Sequence, residues 1–296
     1  MSERLADTVA IVGVGLIGGS IGMAVKARGL ARWVIGIGRD PRKLHRAQQL
    51  AAVDDVTTDM RVGAAEADLI FVCTPVLTII PTIDAIAGSL CEGAVVTDVG
   101  STKTEIARAA ESVMPDGRYF VGGHPMAGSE ASGVEAAVPY LFLDATYVLT
   151  PTASTPVRAL QTMVGFAERI GAKVLLMSPE EHDRSAAIIS HLPHILSAAI
   201  LRLAADEQAR SGKVFQLAAG SFRDMTRVAA SPPEIWRDIC LSSRDAITAA
   251  LGRFEEILRQ VRGQIEALDA ESVEKLFSDA RELKKTWLDR KPAEDE

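Results

Sequence analysis

The stretch TVAIVGVGLIG, residues 8–18, decides the fold of the first half of this chain. Its apolar start, Thr8–Val12, predicts a buried strand, and a G-x-G-x-x-G pattern follows directly and opens a predicted helix, Leu16–Arg28. In this context the first glycine permits a tight turn, the second leaves room for a pyrophosphate, and the third lets helix and strand pack closely. Free N–H groups at the helix N-terminus then predict a dinucleotide phosphate site, formed by Gly13, Gly15, Leu16, Ile17 and Gly18.

Alternating strands and helices continue from this stretch to residue 177. Further buried strands are predicted at Val34–Ile37, Leu69–Cys73 and Ala94–Thr97, with helices at Pro41–Ala51, Val76–Gly88 and Thr102–Ser112. Two more strands, Thr146–Thr150 and Lys173–Leu176, flank a predicted helix, Pro156–Ile170. Such alternation is typical of a doubly wound α/β sheet, so we predict a Rossmann-type N-terminal domain over residues 1–177.

The pattern changes after Ser178, where no further strand is predicted. Apolar residues at helical spacing predict helices at Pro179–Ile189, Pro193–Arg210, Ile235–Glu266 and Glu271–Asp289. One apolar stripe consists of Ile247, Leu251, Phe254, Leu258 and Val261, whose steps of four and three match a single helix face. The stripe is either core or a partner-helix face, and we expect an all-α domain, residues 178–296, that forms a homodimer through these C-terminal helices.

Composition excludes several classes of function. Acidic residues outnumber basic ones by 39 to 32, a net charge of −7, which argues against a nucleic-acid partner. The three cysteines have wide spacings and no C-x-x-C, which indicates reduced thiols in a cytoplasmic protein. The uncharged run Val9–Val25 holds five glycines and lacks a basic start, so we expect neither a membrane span nor a signal peptide.

The residues after the second predicted strand bear on the choice between NAD and NADP. An acidic residue is expected there for the adenosine ribose, but the chain has Gly38, followed by Arg39 and Asp40. Gly38 leaves space and Arg39 can meet a 2′-phosphate, which slightly favours NADP. Alternatively Asp40 reaches the ribose of NAD, although it also fits an N-cap before Pro41. Thr74, after the strand at Leu69–Cys73, completes the predicted cofactor set.

Two candidate catalytic residues follow predicted strands at the carboxyl edge of the sheet, where ligands of such folds bind. Ser101, in the segment DVGSTK, is predicted to direct its hydroxyl into the cleft; alternatively, Thr102 and Glu105 form a capping box that starts a helix there. His124 lies in GGHPMAGSE, a segment rich in glycine and proline that is predicted to be a loop. Such surroundings are more typical of a catalytic histidine, which can transfer protons at neutral pH, than of a histidine buried in the core.

The helical half contributes two further motifs. HLPH at residues 191–194 is predicted to break one helix and start another, and His194 at the new helix start could donate to an anion. No third ligand has a suitable spacing, so we predict no metal. Arg223 and Arg227 would share one helix face and match a carboxylate, or else pair with Asp224 and Asp238 at the surface.

Taken in order along the chain, these motifs resemble those of the prephenate dehydrogenase family, which includes cyclohexadienyl and arogenate dehydrogenases of tyrosine biosynthesis. The resemblance covers nearly the whole chain. It rests on the glycine motif, on DVGSTK at residues 98–103, on GHPMAGSE at 123–130, on HLPH at 191–194 and on the block 222–238. It implies a Rossmann domain and a helical dimerisation domain with the active site between them.

The resemblance also implies roles for individual residues. His124 would accept the proton of the substrate's 4-hydroxyl, Ser101 would orient that hydroxyl, and Arg227 would bind the ring carboxylate. Further positions that would line the substrate site are Ser129, His194 and Trp236. The implied reaction is the NAD(P)-dependent oxidative decarboxylation of prephenate to 4-hydroxyphenylpyruvate, by an enzyme we expect to be monofunctional.

Three other functions remain open at this point. One is use of arogenate, alone or together with prephenate, because the residues do not reveal which side chain meets the keto or amino group. Another is a β-hydroxyacid or imine reductase, although the first helices of the helical half offer no lysine, only Asp183 and Asp206. The third is a non-catalytic, dinucleotide-sensing dimer.

Overall fold

The computed structural model describes residues 4–128 and 131–290, and an eight-stranded sheet forms its first half. In chain order the strands are β1 (Ala6–Val12), β2 (Ala31–Ile37), β3 (Asp55–Thr57), β4 (Leu69–Val72), β5 (Val95–Asp98), β6 (Tyr119–Pro125), β7 (Thr146–Thr150) and β8 (Lys173–Leu176). Their order across the sheet is β3-β2-β1-β4-β5-β6-β7-β8. Strands β2 and β3 are added on one side of β1 and strands from β4 onward on the other, as a doubly wound fold requires.

Six helices connect the strands: α1 (Leu16–Ala27), α2 (Pro41–Gln49), α3 (Met60–Ala65), α4 (Val76–Ala87), α5 (Thr104–Val113) and α6 (Val157–Arg169). All strand pairs are parallel except β6 with β7. In the described part of the β6–β7 connection there is a short 3₁₀ turn, Val134–Ala136, but no crossover helix, so β7 returns antiparallel. The predicted elements are confirmed, and β3 and α3 are additions too short to leave a periodic signal.

Both faces of the sheet are covered. Successive residues of β1 alternate between two apolar clusters: Val9 and Ile11 pack in the cluster that contains α1 and α6, and Ala10 and Val12 in the one that contains α4 and α5. The uncharged run 9–25 is therefore a buried strand, a turn and a helix, as expected. Burial on both faces holds the strand ends, and the loops that follow them, in fixed positions.

The described residues of the second half form helices joined by short loops, and no strand occurs among them. Its helices are α7 (Pro179–Ala186), α8 (Leu192–Ser211), α9 (Gly220–Thr226), α10 (Pro233–Ser242), α11 (Arg244–Glu266) and α12 (Ala270–Arg290), with 3₁₀ turns at Val214–Leu217 and Arg227–Ala230. A π-helical turn, Ala187–His191, joins α7 to α8, so the predicted break at HLPH is wrong, and Pro193 lies in the first turn of α8 directly after the π turn. The single helix predicted over 235–266 is two helices that separate at Ser243.

Two compact units make up the chain, residues 1–247 and residues 248–296. The first contains the whole sheet and also α7 to α10, so that side chains of the early helical segment contact the sheet loops within one unit. The second contains most of α11 and all of α12. The helical path 179–211 is long and apolar enough to cross a membrane by length and composition alone, a test that core helices of soluble proteins also pass. The observed architecture is the predicted one, a Rossmann-type sheet followed by helices.

Candidate active site

The glycine-rich turn between β1 and α1 has the geometry that a dinucleotide requires. Gly13 has a φ of +93°, and a Cβ there would lie 2.8 Å from the carbonyl oxygen of Cys73. A Cβ at Gly18 would lie 2.3 Å from the carbonyl oxygen of Gly13, so helix and strand are in close contact. A Cβ at Gly15 would meet no atom within 4 Å, and the space before this glycine is therefore open.

Polar groups without a partner lie in and next to this turn. No side chain caps the N-terminus of α1, which begins at Leu16 directly after Gly15, so the N–H groups of its first turn are available to a ligand. On the neighbouring loop, after β4, the hydroxyl of Thr74 is buried and has no hydrogen-bond partner. A bound phosphate would accept hydrogen bonds from the N–H groups of this first turn, so the turn fits a nicotinamide dinucleotide.

The loop after β2 carries basic side chains. Asp40 is the N-cap of α2: its Oδ1 accepts hydrogen bonds from the backbone N–H groups of Arg42, at 2.9 Å, and Lys43, at 3.5 Å. The N-cap interpretation of Asp40 is thus confirmed. The side chains of Arg39, Arg42 and Lys43 are exposed and make no salt bridge with the described part of the chain. Three cations therefore lie in the segment after β2, the strand whose end meets the adenosine ribose of a dinucleotide in such folds.

A buried ion pair supports the loop after β5. Asp98 and Lys103 are both fully buried, and the ammonium group of Lys103 contacts Oδ2 of Asp98. The carboxylate also accepts hydrogen bonds from the N–H of Gly100, at 2.8 Å, and of Gly123, at 3.2 Å. Asp98 therefore ties the Ser101 loop to the end of β6, one residue before His124.

The N-terminus of α5 is capped by a residue from another helix. The predicted capping box of Thr102 and Glu105 is wrong, because α5 begins at Thr104 and has no cap from its own side chains. Instead Asp183 of α7 accepts two of the free amides, with Oδ1 2.7 Å from the N of Lys103 and Oδ2 2.9 Å from the N of Thr104. The hydroxyl of Thr102 donates to Ser242 of α10 at 3.1 Å, a second link from this loop to the helices.

His124 is the first member of a hydrogen-bonded series of side chains. It lies in β6, is partly exposed, and its Nδ1 is 2.8 Å from Nε2 of His182. The other ring nitrogen of His182, Nδ1, is 2.8 Å from Oδ1 of Asp183. Through Asp183, the series ends at the amides that start α5. His182 and Asp183 are both buried, so water does not compete for these contacts.

The pKa values of Asp183 and His124 are both lowered, the first against the effect of burial and the second mainly because of it. Burial would raise the pKa of Asp183, but hydrogen bonds from His182, Thr104 and Lys103 outweigh it and lower that pKa, so the group is a carboxylate. Burial, with the neighbouring His182, Lys103 and His191, lowers the pKa of His124 well below its usual 6.5, against the pull of Asp183. His124 is therefore neutral at pH 7 and able to accept a proton.

Aromatic and basic residues from the helices form a second group. His194 stacks on Trp236, with ring centroids 3.6 Å apart and an angle of 23° between the planes, and donates from Nδ1 to the carbonyl of Ser190 at 2.9 Å. Burial lowers the pKa of His194, and the positive charge of Arg227 lowers it further although the Ser190 bond opposes both. Arg227, His194 and Trp236 therefore lie together.

His191 connects the two groups. It is almost fully buried in the π turn, its ring meets Trp236 edge-on at 6.1 Å, and its Nδ1 has no hydrogen-bond partner. Burial lowers the pKa of His191 to about 4, against the opposing charge of Asp183. Because π turns often occur at functional sites, this segment is part of the candidate site.

Most of the predicted residues thus lie in one region. His124 adjoins His182, and the His191 ring bridges towards His194, Trp236 and Arg227, while Ser101 is half-buried in the loop above the Asp98 pair. Ser129 lies outside the described residues. Within 4–128 and 131–290 no group of acidic, histidine and cysteine side chains could hold a metal ion. Sequence reasoning missed His182, Asp98, Lys103 and the role of Asp183; the one available signal was a histidine next to an aspartate in a helix start.

Two family models match the chain. The model for "Prephenate dehydrogenase, nucleotide-binding domain" matches residues 21–176, and the model for "Prephenate dehydrogenase, dimerization domain" matches residues 178–279. Prephenate dehydrogenase of Bacillus subtilis is 38% identical over 286 residues, which is 95% of this chain and 76% of that protein. The two models together match from α1 into α12, and the alignment with this relative extends over 95% of the chain.

Solved structures show the same similarity. One is prephenate dehydrogenase from Aquifex aeolicus in complex with hydroxyphenyl propionate and NAD⁺. The chain superposes on it with a TM-score of 0.89 at 30% sequence identity, and the match covers 97% of this chain and 99% of that one. For Synechocystis arogenate dehydrogenase the TM-score is 0.85 at 32% identity, with 95% and 99% covered. The similarity therefore holds for nearly the entire length of each chain.

Proposed function

Because the chain belongs to the prephenate dehydrogenase family, we propose that it catalyses the NAD(P)-dependent oxidative decarboxylation of prephenate to 4-hydroxyphenylpyruvate in tyrosine biosynthesis. The observation that carries the proposal is the environment of His124. A histidine at the carboxyl edge of the sheet, beside a dinucleotide cradle, has a pKa lowered by burial and by neighbouring positive charge. That is the property a general base needs at neutral pH.

His124 acts on the 4-hydroxyl of the substrate. Its neutral imidazole takes the hydroxyl proton while the C4–H bond breaks, and the dinucleotide, when bound, supplies the acceptor for that hydride. The C1–carboxylate bond then breaks, its electron pair completes the aromatic ring, and carbon dioxide leaves. The phenolate oxygen recovers the proton, so the protein returns to its starting state. A histidine base contributes about 10²- to 10⁴-fold to such a step.

The helical residues orient the substrate in this proposal. Arg227 binds the ring carboxylate, which a guanidinium matches with two parallel hydrogen bonds. Ser101 orients the reacting hydroxyl, and Ser129, His194 and Trp236 line the remainder of the site. The shared environment of Arg227, His194 and Trp236 supports this assignment, because the charge of Arg227 acts on His194 and the ring of His194 stacks on Trp236.

The cofactor is a nicotinamide dinucleotide, and we propose NADP as the preferred form. The glycine turn, the first turn of α1 and Thr74 would hold its phosphates and ribose. Exposed cations at Arg39, Arg42 and Lys43 support the preference for a 2′-phosphate, and Asp40 is occupied as a helix cap through one of its oxygens. The test compares kcat/KM for NADP⁺ and NAD⁺ in the wild type, in Arg39→Ala, and in a control, Arg32→Ala, at the other end of β2. The preference should fall in the first variant only.

A two-by-two assay tests the proposed reaction. Prephenate or arogenate is incubated with NAD⁺ or NADP⁺, and absorbance of the reduced nicotinamide is followed together with release of carbon dioxide. Turnover of prephenate is the expected result. Turnover of arogenate alone would instead favour the arogenate dehydrogenase function, to which the similarity with the Synechocystis enzyme points. Dinucleotide binding without any turnover would favour the sensing dimer.

We propose further that the protein is a cytoplasmic homodimer. The unit at residues 248–296 leaves large apolar side chains at least half exposed, namely Ile257, Leu258, Ile265, Leu268, Phe277, Leu283, Trp287 and Leu288. The family model for this part of the chain is named for dimerisation, so a second copy is the partner that fits them. Cys73, Cys91 and Cys240 are free, which supports a reducing compartment. Light scattering at micromolar concentration should give twice the mass of the chain.

A further inference from the structure

We propose that His182 and Asp183 are positioning residues that fix the tautomer of His124, so that its Nδ1 carries the proton and its Nε2 faces the reaction with a free lone pair. This inference rests on the proposed role of His124 as the general base. It concerns two residues of the helical half that do not contact the reacting hydroxyl themselves and act through His124.

The argument starts at Asp183, which is held as a carboxylate. Its oxygens accept three hydrogen bonds, from the N–H groups of Lys103 and Thr104 and from His182, and these lower its pKa although burial opposes them. A carboxylate only accepts hydrogen bonds. At 2.8 Å from Oδ1 of Asp183, the Nδ1 of His182 must therefore be the donor and carry a proton.

The position of the proton on His182 determines which nitrogen of His124 is protonated. A neutral imidazole carries one proton, so Nε2 of His182 is an acceptor when its Nδ1 donates to Asp183. The atom 2.8 Å away, Nδ1 of His124, is then the donor. The remaining nitrogen of His124, Nε2, has no proton and can receive the one from the substrate hydroxyl. Without His182 nothing in this series would select between the two tautomers.

The same series stabilises the product of proton transfer. Once Nε2 of His124 is protonated the ring is a cation, and its Nδ1–H bond to His182 strengthens because His182 is backed by the Asp183 carboxylate. The other charged or titratable groups that face His124 are Lys103, itself paired with Asp98, and His191. Both Lys103 and His191 disfavour the imidazolium, so Asp183 is the group that counters them.

The hydrogen-bonded series of His124, His182 and Asp183 is here called the relay. Because Asp183 also caps α5, its removal would perturb both the fold and the relay. Substitutions of His182 separate the two roles, because they leave the bonds from Asp183 to the α5 amides in place. His182→Gln keeps an oxygen that can accept the Nδ1–H of His124, whereas His182→Leu keeps the volume but no acceptor. The glutamine variant is therefore the conservative rescue and the leucine variant is the test.

The experiment combines kinetics with ¹⁵N NMR of histidine rings, in the full-length protein saturated with NADP⁺. The chain has five histidines, and the signals of His124 are assigned by their loss in His124→Asn. In the wild type at pH 7.5, the Nδ1–H tautomer of His124 is expected. In His182→Leu this preference is lost and kcat for prephenate falls at least about 10-fold, within the 10²- to 10⁴-fold total of a general base, with KM within about 3-fold. His182→Gln should keep the tautomer and most of kcat.

Two results would overturn the relay: an Nε2–H tautomer in the wild type, or an unchanged tautomer and kcat in His182→Leu. Thermal unfolding of both variants checks that they fold, and if the leucine variant does not, the tautomer in the wild type and in His182→Gln decides the question alone. The proposed function fails separately, since a wild type that shows the Nδ1–H tautomer but does not oxidise prephenate keeps the relay and loses the reaction.

Discussion

The buried pair of Lys103 and Asp98 makes a quantitative test of how the site is held together. Substitution of Lys103 by methionine removes the ammonium group and keeps most of the volume, which leaves the fully buried Asp98 without its cation. Loss of one partner of a buried pair costs about 3–5 kcal/mol of the free energy of unfolding. Asp98 keeps two amide donors, from Gly100 and Gly123, so we expect the lower end, about 3 kcal/mol.

Urea unfolding measures this cost. With an m value of about 3 kcal/mol/M for a chain of this size, a loss of that order lowers the midpoint by about 1 M. Lys173→Met is the matched control, because the salt bridge of Lys173 with Asp144 is 3.0 Å long but exposed, and such pairs contribute about 0–1 kcal/mol. A midpoint for Lys103→Met no lower than that of the control would refute the reasoning.

A second readout follows from the same substitution. The positive charge of Lys103 is one of the causes that lower the pKa of His124. Its removal makes the imidazolium more favourable, so the pKa of His124 rises. The acid limb of kcat/KM should therefore move to higher pH in Lys103→Met and stay in place in Lys173→Met.

Three further predictions concern the cradle, the substrate and acid stability. Gly15→Ala should fold normally, because its Cβ meets nothing within 4 Å, yet bind dinucleotide at least about 10-fold more weakly, the effect of obstructing the pyrophosphate; isothermal titration measures both cofactors, and unchanged affinity would place the phosphates elsewhere. Arg227→Ala should raise KM for prephenate about 10- to 150-fold, a loss of about 1.5–3 kcal/mol typical of a hydrogen bond to a charged group, with a smaller effect on kcat; an unchanged KM would assign carboxylate binding to another cation. Burial holds the pKa of His191 at about 4 against 6.5 in the unfolded chain, so the unfolded state binds more protons and stability is lost as pH falls from 6.5 to 4, by roughly 3 kcal/mol at most. His191→Gln should remove that part of the slope in urea melts, and a slope equal to that of the wild type would contradict it.

The parts of the fold that depend on neighbouring residues could be predicted from the sequence. The apolar run before Gly13 dictates a strand, the glycine spacing dictates the turn, and Asp40 before Pro41 dictates a helix start, each through contacts within a few residues. All three have the predicted local structure. Short elements such as β3 and α3 were missed because three to six residues carry no measurable periodicity.

The parts that depend on distant residues could not be predicted in this way. Thr102 and Glu105 have the spacing of a capping box, yet α5 begins at Thr104, and Asp183, about 80 residues later in the chain, accepts the hydrogen bonds of its first amides. The fold brings the carboxylate of Asp183 to this helix start in place of a local cap, and no pattern of neighbouring residues indicates such a contact. The proline in HLPH is typical of a helix break, but the chain stays helical there because a π turn joins α7 to α8 just before the proline.

In the candidate site, too, the residues with a local signal were predicted and those defined by distant contacts were not. His124 and Ser101 were found because their segments have unusual composition at the ligand-binding edge, although His124 lies in β6 and not in the predicted loop. His182 was not found, because its significance lies in a contact with a residue 58 positions away. Only the folded chain shows that His124 has a partner, His182, and that this partner is bonded to the carboxylate of Asp183.

The pH dependence of kcat/KM for prephenate, in the wild type and in His124→Asn, tests the central claim most directly. If His124 is the general base, the wild type should lose activity only as pH falls below 6.5, since its pKa is lowered, and the variant should be about 10²- to 10⁴-fold slower with no such acid limb and with unchanged dinucleotide affinity. Near-normal turnover of the variant with the same acid limb would show that another group accepts the proton.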